Sequence, residues 1–388
     1  MKIFEQLERR RGWDTEEQAV LDAVRRVADE VIAPKAAAYD KSGEFPWDSV
    51  KAIQALNLNA IFVPEAYGGS PARYKLYLAV VKIISEACAS TGIIYATNFH
   101  AMKPLIDFGS EEQKQRLLPR IADCGLASLA ITEPAAGSDA TAMRTRFTPD
   151  GNDIIVDGGK TFITSGDVSD LLLVFGKWSE IDDAKGAISA LVLEKGTPGF
   201  SIGRREDKMG LRASSTAALE FDKVRVPRAN LLGAPGEGLK ILLASLNKSR
   251  PSIAAHALGI AIAAFKDMTA YMNTRRQSGR RIAEFQGNQF LLADLASELA
   301  MCETWLDHVA DLVDAGATDI GVEASIAKLR SSDLAMRMTT EAVQMHGGYG
   351  YIRDYRVERL MRDAKITQIW EGTNQVHRQL IGRSFVTK

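Results

Sequence analysis

The chain has 388 residues, of which 46% are hydrophobic and 25% charged, and its formal net charge is −1. These values are ordinary for a globular protein, and the length exceeds what one hydrophobic core usually supports, so two or three domains are expected. The balanced charge and the lack of a long Lys/Arg run argue against nucleic acid and anionic membranes as main partners.

The N-terminal sequence, MKIFEQLERRRGW, lacks the apolar region of a secretory signal. The arginines at 9–11 resemble part of a mitochondrial transit peptide, but Glu5 and Glu8 lie close to them, which argues against one. No apolar stretch approaches the ~20 residues that a membrane helix needs. We therefore expect a cytoplasmic protein of bacterial type, without a membrane span.

The cysteines and histidines are scattered along the chain. Cys88, Cys124 and Cys302 form no C-x-x-C pair and no metal-ligand spacing, which predicts buried free thiols and no metal site. Of the five histidines, His100 and His346 could line a site.

The first third of the chain has helical patterns. Thr15 with Gln18 predicts a capping box, and the valines that follow recur at helical spacing until Pro34 ends the pattern. Ser110 with Gln113 predicts a second capped helix. We assign this part to an N-terminal helical domain.

The middle of the chain changes to short runs rich in Val, Ile, Leu and Phe. These predicted strands are Asp153–Val156, Leu171–Trp178, Ala187–Glu194 and Ala217–Val226. Turn sequences such as Gly158-Gly159 and Pro198-Gly199 separate them, and no helix of useful length alternates with them. The pattern favours an antiparallel sheet or barrel over a doubly wound nucleotide fold.

Helical patterns return in the last part of the chain. One run has a heptad seam that ends at Gly316, formed by Leu292, Leu295, Leu299, Cys302, Leu306, Val309 and Val313. This seam predicts bundle core or subunit contact rather than a cofactor site. The fold class is α+β, with domains at 1–124, 125–235 and 236–388.

Two segments of the middle part favour a ligand site. Leu129–Asp139 (LAITEPAAGSD) and Lys160–Ser165 (KTFITS) combine small residues with hydroxyls, so the backbone can approach a flat ligand and offer it donors. An ordinary polar loop has the same composition, so composition alone does not decide between a ligand site and such a loop.

The segment Met361–Arg378 places Glu371 between Trp370 and the flexible step Gly372-Thr373. A carboxylate beside an indole is a candidate general base, because burial disfavours its charged form and increases its basicity.

Six segments, in order, resemble the acyl-CoA dehydrogenase family: TEPAAGSD, KTFITSG, GLRASSTAALEFDKVRVP, RRQSGRRIAEFQ, AVQMHGGYGY and RDAKITQIWEGT. Each is moderately specific, and their number and order make the match very specific. The GGYG step at 347–350 follows no predicted strand and is not a Rossmann fingerprint. The resemblance implies an N-terminal α domain, a central antiparallel β-barrel-like domain and a C-terminal four-helix bundle.

The resemblance also implies FAD as cofactor. Residues that match the family's flavin contacts are Leu129, Ala130, Ile131, Thr132, Gly137, Ser138, Phe162, Ile163, Thr164, Thr373 and Gln375. Residues that match contacts with the adenine and pyrophosphate end, usually on a neighbouring subunit, are Arg275, Gln277, Gln286, Gln344, Gly347 and Gly348. The planar fork of an arginine suits pyrophosphate oxygens.

The resemblance further implies an acyl-CoA substrate. Ser138, Asn247, Arg250 and Gly372 match residues that contact it, and Glu371 matches the catalytic base. In the family the base removes the α-proton while the β-hydride passes to flavin, and the thioester oxygen is held by the backbone N–H of the base and a hydroxyl of FAD. The family context implies an electron-transfer flavoprotein as acceptor and a homotetramer, a dimer of dimers.

Three residues depart from the family pattern. Phe162 stands where Trp is frequent, Ser278 where an aromatic is common, and Asn247 where Asp is frequent. These departures favour a specialised member over a standard fatty-acid enzyme.

Residues 95–103 fall near the expected end of the acyl tail. Tyr95, Phe99 and His100 suit a short, branched or cyclic acyl group, and the alternative is that these side chains turn into the core.

Two other functions remain open. One is an enoyl-CoA reductase or oxidase on the same fold, and the other is a non-catalytic acyl-CoA- or flavin-binding assembly protein. The retention of Glu371, Ser138, Arg250 and Arg275 argues against the non-catalytic alternative.

Overall fold

The computed structural model describes residues 2–123 and 125–386. The helices before the sheet are α1 (Lys2–Arg10), α2 (Thr15–Val27), α3 (Ala33–Ser42), α4 (Trp47–Ala55), α5 (Tyr74–Ala87), α6 (Ala89–Phe108) and α7 (Glu111–Ala122). The sheet strands are β1 (Ala127–Ala130), β2 (Arg146–Asp150), β3 (Asp153–Thr164), β4 (Leu171–Trp178), β5 (Ile188–Glu194), β6 (Phe200–Arg205), β7 (Thr216–Pro227) and β8 (Leu231–Leu232).

The last part of the chain is helical again, with one small hairpin. Its elements are α8 (Gly238–Thr274), β9 (Arg276–Gln277), β10 (Arg280–Arg281), α9 (Gln286–Asp314), α10 (Gly321–His346), α11 (Val357–Lys365) and α12 (Asn374–Arg383). The α–β–α order confirms the predicted fold class. The domain boundaries after residues 124 and 235 stay predictions.

The first predicted capping box is wrong by one residue. Asp14, not Thr15, caps α2: its carboxylate accepts the Glu17 N–H at 2.8 Å, and the Glu17 carboxylate accepts the Asp14 N–H at 3.1 Å. Asp14 with Glu17 and Thr15 with Gln18 both have the required spacing. The extended backbone of Asp14 gives it the cap position. The capping box of Ser110 with Gln113 is confirmed.

The prediction that Pro34 ends the helical pattern is also wrong. A π-helical turn at Ala28–Ile32 precedes α3, and Pro34 lies in the first turn of that helix. The helical run continues through this wider turn, in which the Ala33 N–H donates to the Ala28 carbonyl, and Pro34 itself has no N–H to donate.

The sheet has the order β6-β7-β3-β2-β4-β5-β8, and β1 pairs with β4 outside this path. Most pairs are antiparallel, as predicted, but β1 and β2 both run parallel to β4. The described strands form an open path from β6 to β8 rather than a closed barrel. β1 enters the sheet from the helical part, and β3 lies between β2 and β4 in sequence, so neither parallel pair is joined by a hairpin.

The helices of the first and last parts share one hydrophobic core, in which α8 packs against α5, α6 and α10. The heptad seam lies on α9, where Leu295, Leu299 and Val309 are buried in this core. The prediction that the seam forms bundle core is therefore confirmed.

Helix α8 is long and apolar enough to cross a membrane, and 72% of its most apolar window is buried inside the protein. The prediction that no apolar stretch approaches the length of a membrane helix is therefore wrong, because α8 has both the length and the composition. Burial of this extent is typical of a core helix.

Cys88 and Cys302 are buried free thiols, and Cys124 lies outside the described residues. Within residues 2–123 and 125–386, no group of three or more His, Cys, Asp or Glu side chains could hold a metal ion.

Candidate active site

Glu371 lies in a tight turn just before α12. Its backbone is left-handed, with φ of 52°, and Gly372 follows with φ of 92°. Left-handed backbone costs a non-glycine residue about 1–2 kcal/mol. Contacts from other elements must therefore hold this turn.

Three helices supply these contacts. From α8, the Ser249 hydroxyl donates to the Glu371 carboxylate at 2.6 Å. From α10, the Lys328 ammonium donates to the Gly372 carbonyl at 2.7 Å. From α12, His377 Nε2 lies 3.1 Å from the Glu371 carbonyl. The half-buried carboxylate is thereby fixed relative to the helical core.

Lys328 is 0% exposed and also donates to Asn374 Oδ1 at 2.9 Å. Burial lowers the pKa of Lys328 to about 7, and the negative charge of Glu371 opposes this shift. Burial lowers the pKa of His377 to about 3, so this imidazole is neutral. A neutral imidazole facing a carbonyl carries its proton on Nε2, which makes His377 a donor to the turn.

Arg250 is a second buried cation near Glu371. Burial lowers its pKa, and the Glu371 charge opposes the shift. Its Nη1 reaches Asn247 Oδ1 at 3.4 Å, and its Nε has no hydrogen bond to a described residue. The guanidinium therefore keeps spare donor capacity beside the candidate base.

A buried ion pair fixes the end of β1. The Lys160 ammonium, on β3, donates to the Glu133 carboxylate at 2.6 Å and to the Ile131 carbonyl at 3.0 Å. Burial lowers the pKa of Lys160 to about 8, and Glu133 opposes the shift. The Thr161 N–H donates to the Thr132 carbonyl at 2.8 Å, so the ends of β1 and β3 are joined.

Phe162 projects from this junction. The register between β3 and β7 shifts between Lys160 and Ile163, and Phe162 adopts a φ of 59° within that bulge. Its side chain is 62% exposed. An exposed aromatic held at a bulge is a platform for a flat ligand.

The other predicted strand and turn residues lie around these features. Ala130 and Ile163 are buried, Leu129, Ile131, Thr132 and Thr164 are half-buried, and Gly137, Ser138 and Gln375 are exposed. The Thr373 hydroxyl accepts the Val376 N–H at 3.3 Å and so caps α12.

A separate cavity of about 480 Å³ brings together five predicted residues: Arg275, Gln277, Gln344, Gly347 and Gly348. Its wall also contains an aromatic stack, Tyr271 on His346, with ring centroids 4.2 Å apart. His346 thus lines this cavity, and its place in a functional site stays a prediction. Gln286 does not line this cavity and lies exposed at the start of α9.

Tyr95 and Phe99 turn into the helical core, which is the alternative stated above. Tyr95 Oη donates to the Leu58 carbonyl at 3.1 Å, and Phe99 stacks on Tyr77 with ring centroids 4.4 Å apart.

Three family models match almost the entire chain. The N-terminal domain of acyl-CoA dehydrogenases matches residues 14–124, the middle domain residues 128–224 and the C-terminal domain residues 236–386. The chain belongs to the acyl-CoA dehydrogenase family.

Relatives and solved structures of this family agree over nearly full length. An acyl-CoA dehydrogenase of Bacillus subtilis is 42% identical over 95% of this chain and 98% of its own. Butyryl-CoA dehydrogenase from Megasphaera elsdenii has a TM-score of 0.94 and 35% identity, covering 97% of this chain and 99% of that one. A chain from a structure described as the electron transferring flavoprotein of Acidaminococcus fermentans has a TM-score of 0.94, 39% identity and the same coverage.

Acyl-CoA dehydrogenases are FAD flavoproteins, and this chain is an oxidoreductase that acts on the CH–CH bond of acyl-CoA thioesters. The residues present fit FAD. Phe162 offers an aromatic surface, and the cavity at Arg275 offers a guanidinium, side-chain amides and bare glycine backbone. The cavity lining comes from α8, the β9–β10 hairpin, α10 and the segment after it, and does not include Phe162.

Replacing Arg275 by Met is expected to weaken FAD binding about tenfold, because one charge-assisted hydrogen bond to an anion contributes about 1.5–3 kcal/mol. Flavin fluorescence during reconstitution of the apoprotein measures this affinity. Arg120→Met, on α7, is the matched control. Equal affinity in the wild type and Arg275→Met would show that the cavity holds no part of FAD.

Several residues of the site were missed from the sequence. Ser249 lies next to the predicted Arg250, and its role depends on Glu371, which is 122 residues away. Lys328 had a signal, because it is a lone lysine in the apolar stretch Ala324–Leu329. A lysine on the core side of a helix is rarely buried without a partner.

Proposed function

We propose that this chain catalyses α,β-dehydrogenation of a short, branched or cyclic acyl-CoA thioester, with Glu371 as the base. The observation that supports it is the Glu371 turn. A half-buried carboxylate is held by Ser249, with the buried cations Lys328 and Arg250 in its electrostatic range.

The protein's own groups account for the proton transfer. The Ser249 hydroxyl holds Glu371 Oε2, and no hydrogen bond from a described residue reaches Oε1. Oε1 is therefore the oxygen that accepts the α-proton of the substrate. FAD, when bound, supplies the acceptor for the β-hydride.

Enolate-like charge develops on the thioester as the α-proton leaves. The cations Arg250 and Lys328 stabilise negative charge in this region, and burial makes that effect larger than it is in water. The Arg250 guanidinium has donor capacity that no described residue uses. Asn247 lies beside it and shares its contact with CoA in this proposal.

The helical core supports a compact acyl group. Phe62, Tyr74, Tyr77 and Phe99 pack ring against ring between α5 and α6, at centroid distances from 4.4 to 6.0 Å. The Tyr74 hydroxyl also donates to the Lys248 carbonyl on α8, so a long tail that enters beside α8 would have to separate this ring cluster, which costs packing energy. Butyryl-CoA, the substrate named for the solved relative, is short.

Anaerobic flavin bleaching tests the proposal. Butyryl-, isobutyryl- and cyclohexanecarbonyl-CoA are expected to bleach the flavin at least about tenfold faster than palmitoyl-CoA. A tenfold difference in rate corresponds to about 1.4 kcal/mol of activation free energy. Equal rates with palmitoyl-CoA would contradict the compact tail. No bleaching by any acyl-CoA would favour the non-catalytic alternative, and oxygen uptake during turnover would indicate an oxidase.

The remaining proposals concern partners and location. An electron-transfer flavoprotein is proposed as electron acceptor, supported by the similarity to the chain from Acidaminococcus fermentans. A homotetramer is proposed because the resemblance puts the adenine and pyrophosphate contacts on a neighbouring subunit, and Phe162 is not part of the cavity at Arg275. The cytoplasmic location stays a prediction.

A further inference from the structure

A cavity of about 800 Å³ lies where α3, the loop between β6 and β7, and α11 meet. It shares no lining residue with the cavity at Arg275. None of the residues that match the family's contacts with FAD or acyl-CoA lines it. The proposed function therefore leaves this cavity without a role.

Ion pairs hold the walls of this cavity together. Arg362 on α11 donates to both carboxylate oxygens of Asp40 on α3, at 3.0 and 2.7 Å, and to the Glu358 carboxylate at 2.7 Å. From the loop between β6 and β7, Arg212 donates to the Asp40 carbonyl at 2.9 Å and to the Asp207 carboxylate at 2.7 Å. Because these contacts join three segments, the cavity is formed before any ligand enters it.

The walls carry an excess of positive charge. Three wall arginines have carboxylate partners, namely Arg212, Arg356 and Arg362. Four further wall cations have no carboxylate partner in residues 2–123 and 125–386, namely Lys41, Lys208, Arg353 and Arg359. Within the same ranges, Asp354 is the one wall carboxylate that lacks an ion pair. Four unpaired cations therefore face one unpaired carboxylate.

Arg359, on α11, is the most buried of the unpaired cations. It is 9% exposed and has no hydrogen bond or ion pair to any residue of the described chain. The buried carboxyl of Asp363 accepts the Leu211 N–H at 2.6 Å, and it is in electrostatic range of Arg359 without forming an ion pair with it. A guanidinium is charged at every physiological pH, and a buried charge without a partner is strongly unfavourable. An anion in the cavity would supply the missing partner.

We propose that this cavity binds a small molecule through a phosphate or pyrophosphate group, with Arg359 as the buried contact. The planar fork of an arginine pairs with phosphate oxygens. A group with several negative charges can offset several cations at once, whereas a single carboxylate would leave most of them unpaired. The cavity volume lies within the range of roughly 300–1,000 Å³ that is typical of small-molecule sites.

Isothermal titration calorimetry of the FAD-loaded holoenzyme with inorganic pyrophosphate tests this site without turnover. Ionic strength is held constant, because salt screens exposed charges. Arg359→Met is expected to weaken binding at least about tenfold, the effect of losing hydrogen bonds between charged groups. Arg26→Met, at an exposed arginine on α2, is the control and should bind like the wild type.

A second variant covers the case in which Arg359→Met does not fold. Lys41 and Arg353 are both exposed, so replacing the two together by Gln leaves the core intact. This double variant should also weaken pyrophosphate binding about tenfold, since two cations are lost from the wall. Flavin content and thermal midpoint of each holoenzyme establish that it is folded.

Four results would overturn the inference. They are no binding of pyrophosphate to the wild type, equal affinity in the wild type and the folded cavity variants, succinate binding as tight as that of pyrophosphate, and a KM for butyryl-CoA that rises about tenfold in these variants. The third would mean that the cavity recognises carboxylates, and the fourth would assign its phosphate contacts to acyl-CoA. An unchanged KM together with weakened pyrophosphate binding is the expected result.

Discussion

Glu371→Gln is expected to slow flavin reduction by butyryl-CoA about 10²–10⁴-fold, the usual contribution of a general base. The amide is isosteric with the carboxylate and can still accept the hydrogen bond of Ser249, so the turn should keep its shape. It cannot take up the α-proton. Stopped-flow absorbance of the flavin under anaerobic conditions measures the rate.

Two controls make this result specific. Glu112→Gln, at an exposed carboxylate on α7, should reduce flavin at the wild-type rate. Binding of acyl-CoA to Glu371→Gln, followed by the perturbation of the flavin spectrum, should persist. A variant that reduces flavin as fast as the wild type would show that another group is the base.

Lys328→Met is expected to lower the free energy of unfolding by about 2 kcal/mol at pH 9, because it leaves two buried oxygens, on Gly372 and Asn374, without their donor. The difference in free energy of unfolding between the wild type and Lys328→Met should grow with pH. The pKa of Lys328 is about 7 in the folded protein, below its ordinary value of 10.5. Between these values the unfolded chain holds a proton that the folded one has released, so wild-type stability rises with pH.

The growth of this deficit between pH 7 and pH 9 should be about 2 kcal/mol, from a slope that approaches 1.4 kcal/mol per pH unit. Denaturant unfolding of the holoenzyme at both pH values measures it. Lys160, with its own lowered pKa, is present in both proteins and cancels in the difference. Lys240→Met, at an exposed lysine on α8, is the control. A deficit that is the same at pH 7 and pH 9 would show that Lys328 does not titrate in this range.

Local patterns predicted the parts of the fold that local interactions determine. The capping box at Ser110 and the seam on α9 follow from residues within one helix, and both are confirmed. The cap of α2 was misplaced because two overlapping pairs meet the same spacing rule. The choice of Asp14 goes with the ion pair between Glu17 and Arg73, which is 56 residues away.

Family motifs predicted residues that the structure brings together, whereas contacts that depend on helix packing were missed. The residues around Arg275 lie together in one cavity, as the resemblance implies. The partners of the Glu371 turn, Ser249 and Lys328, come from helices that are distant in sequence. No spacing rule relates residues so far apart, because their contact arises only when α8 and α10 pack.

The left-handed backbone at Glu371 affects which residues selection would favour at this position. Glycine adopts this conformation freely, and asparagine more easily than glutamate. Variants selected for thermal stability alone would therefore tend to replace the glutamate with one of these residues and become more stable and inactive together. The glutamate at this position therefore costs the turn stability, and what the carboxylate does is the gain that offsets this cost.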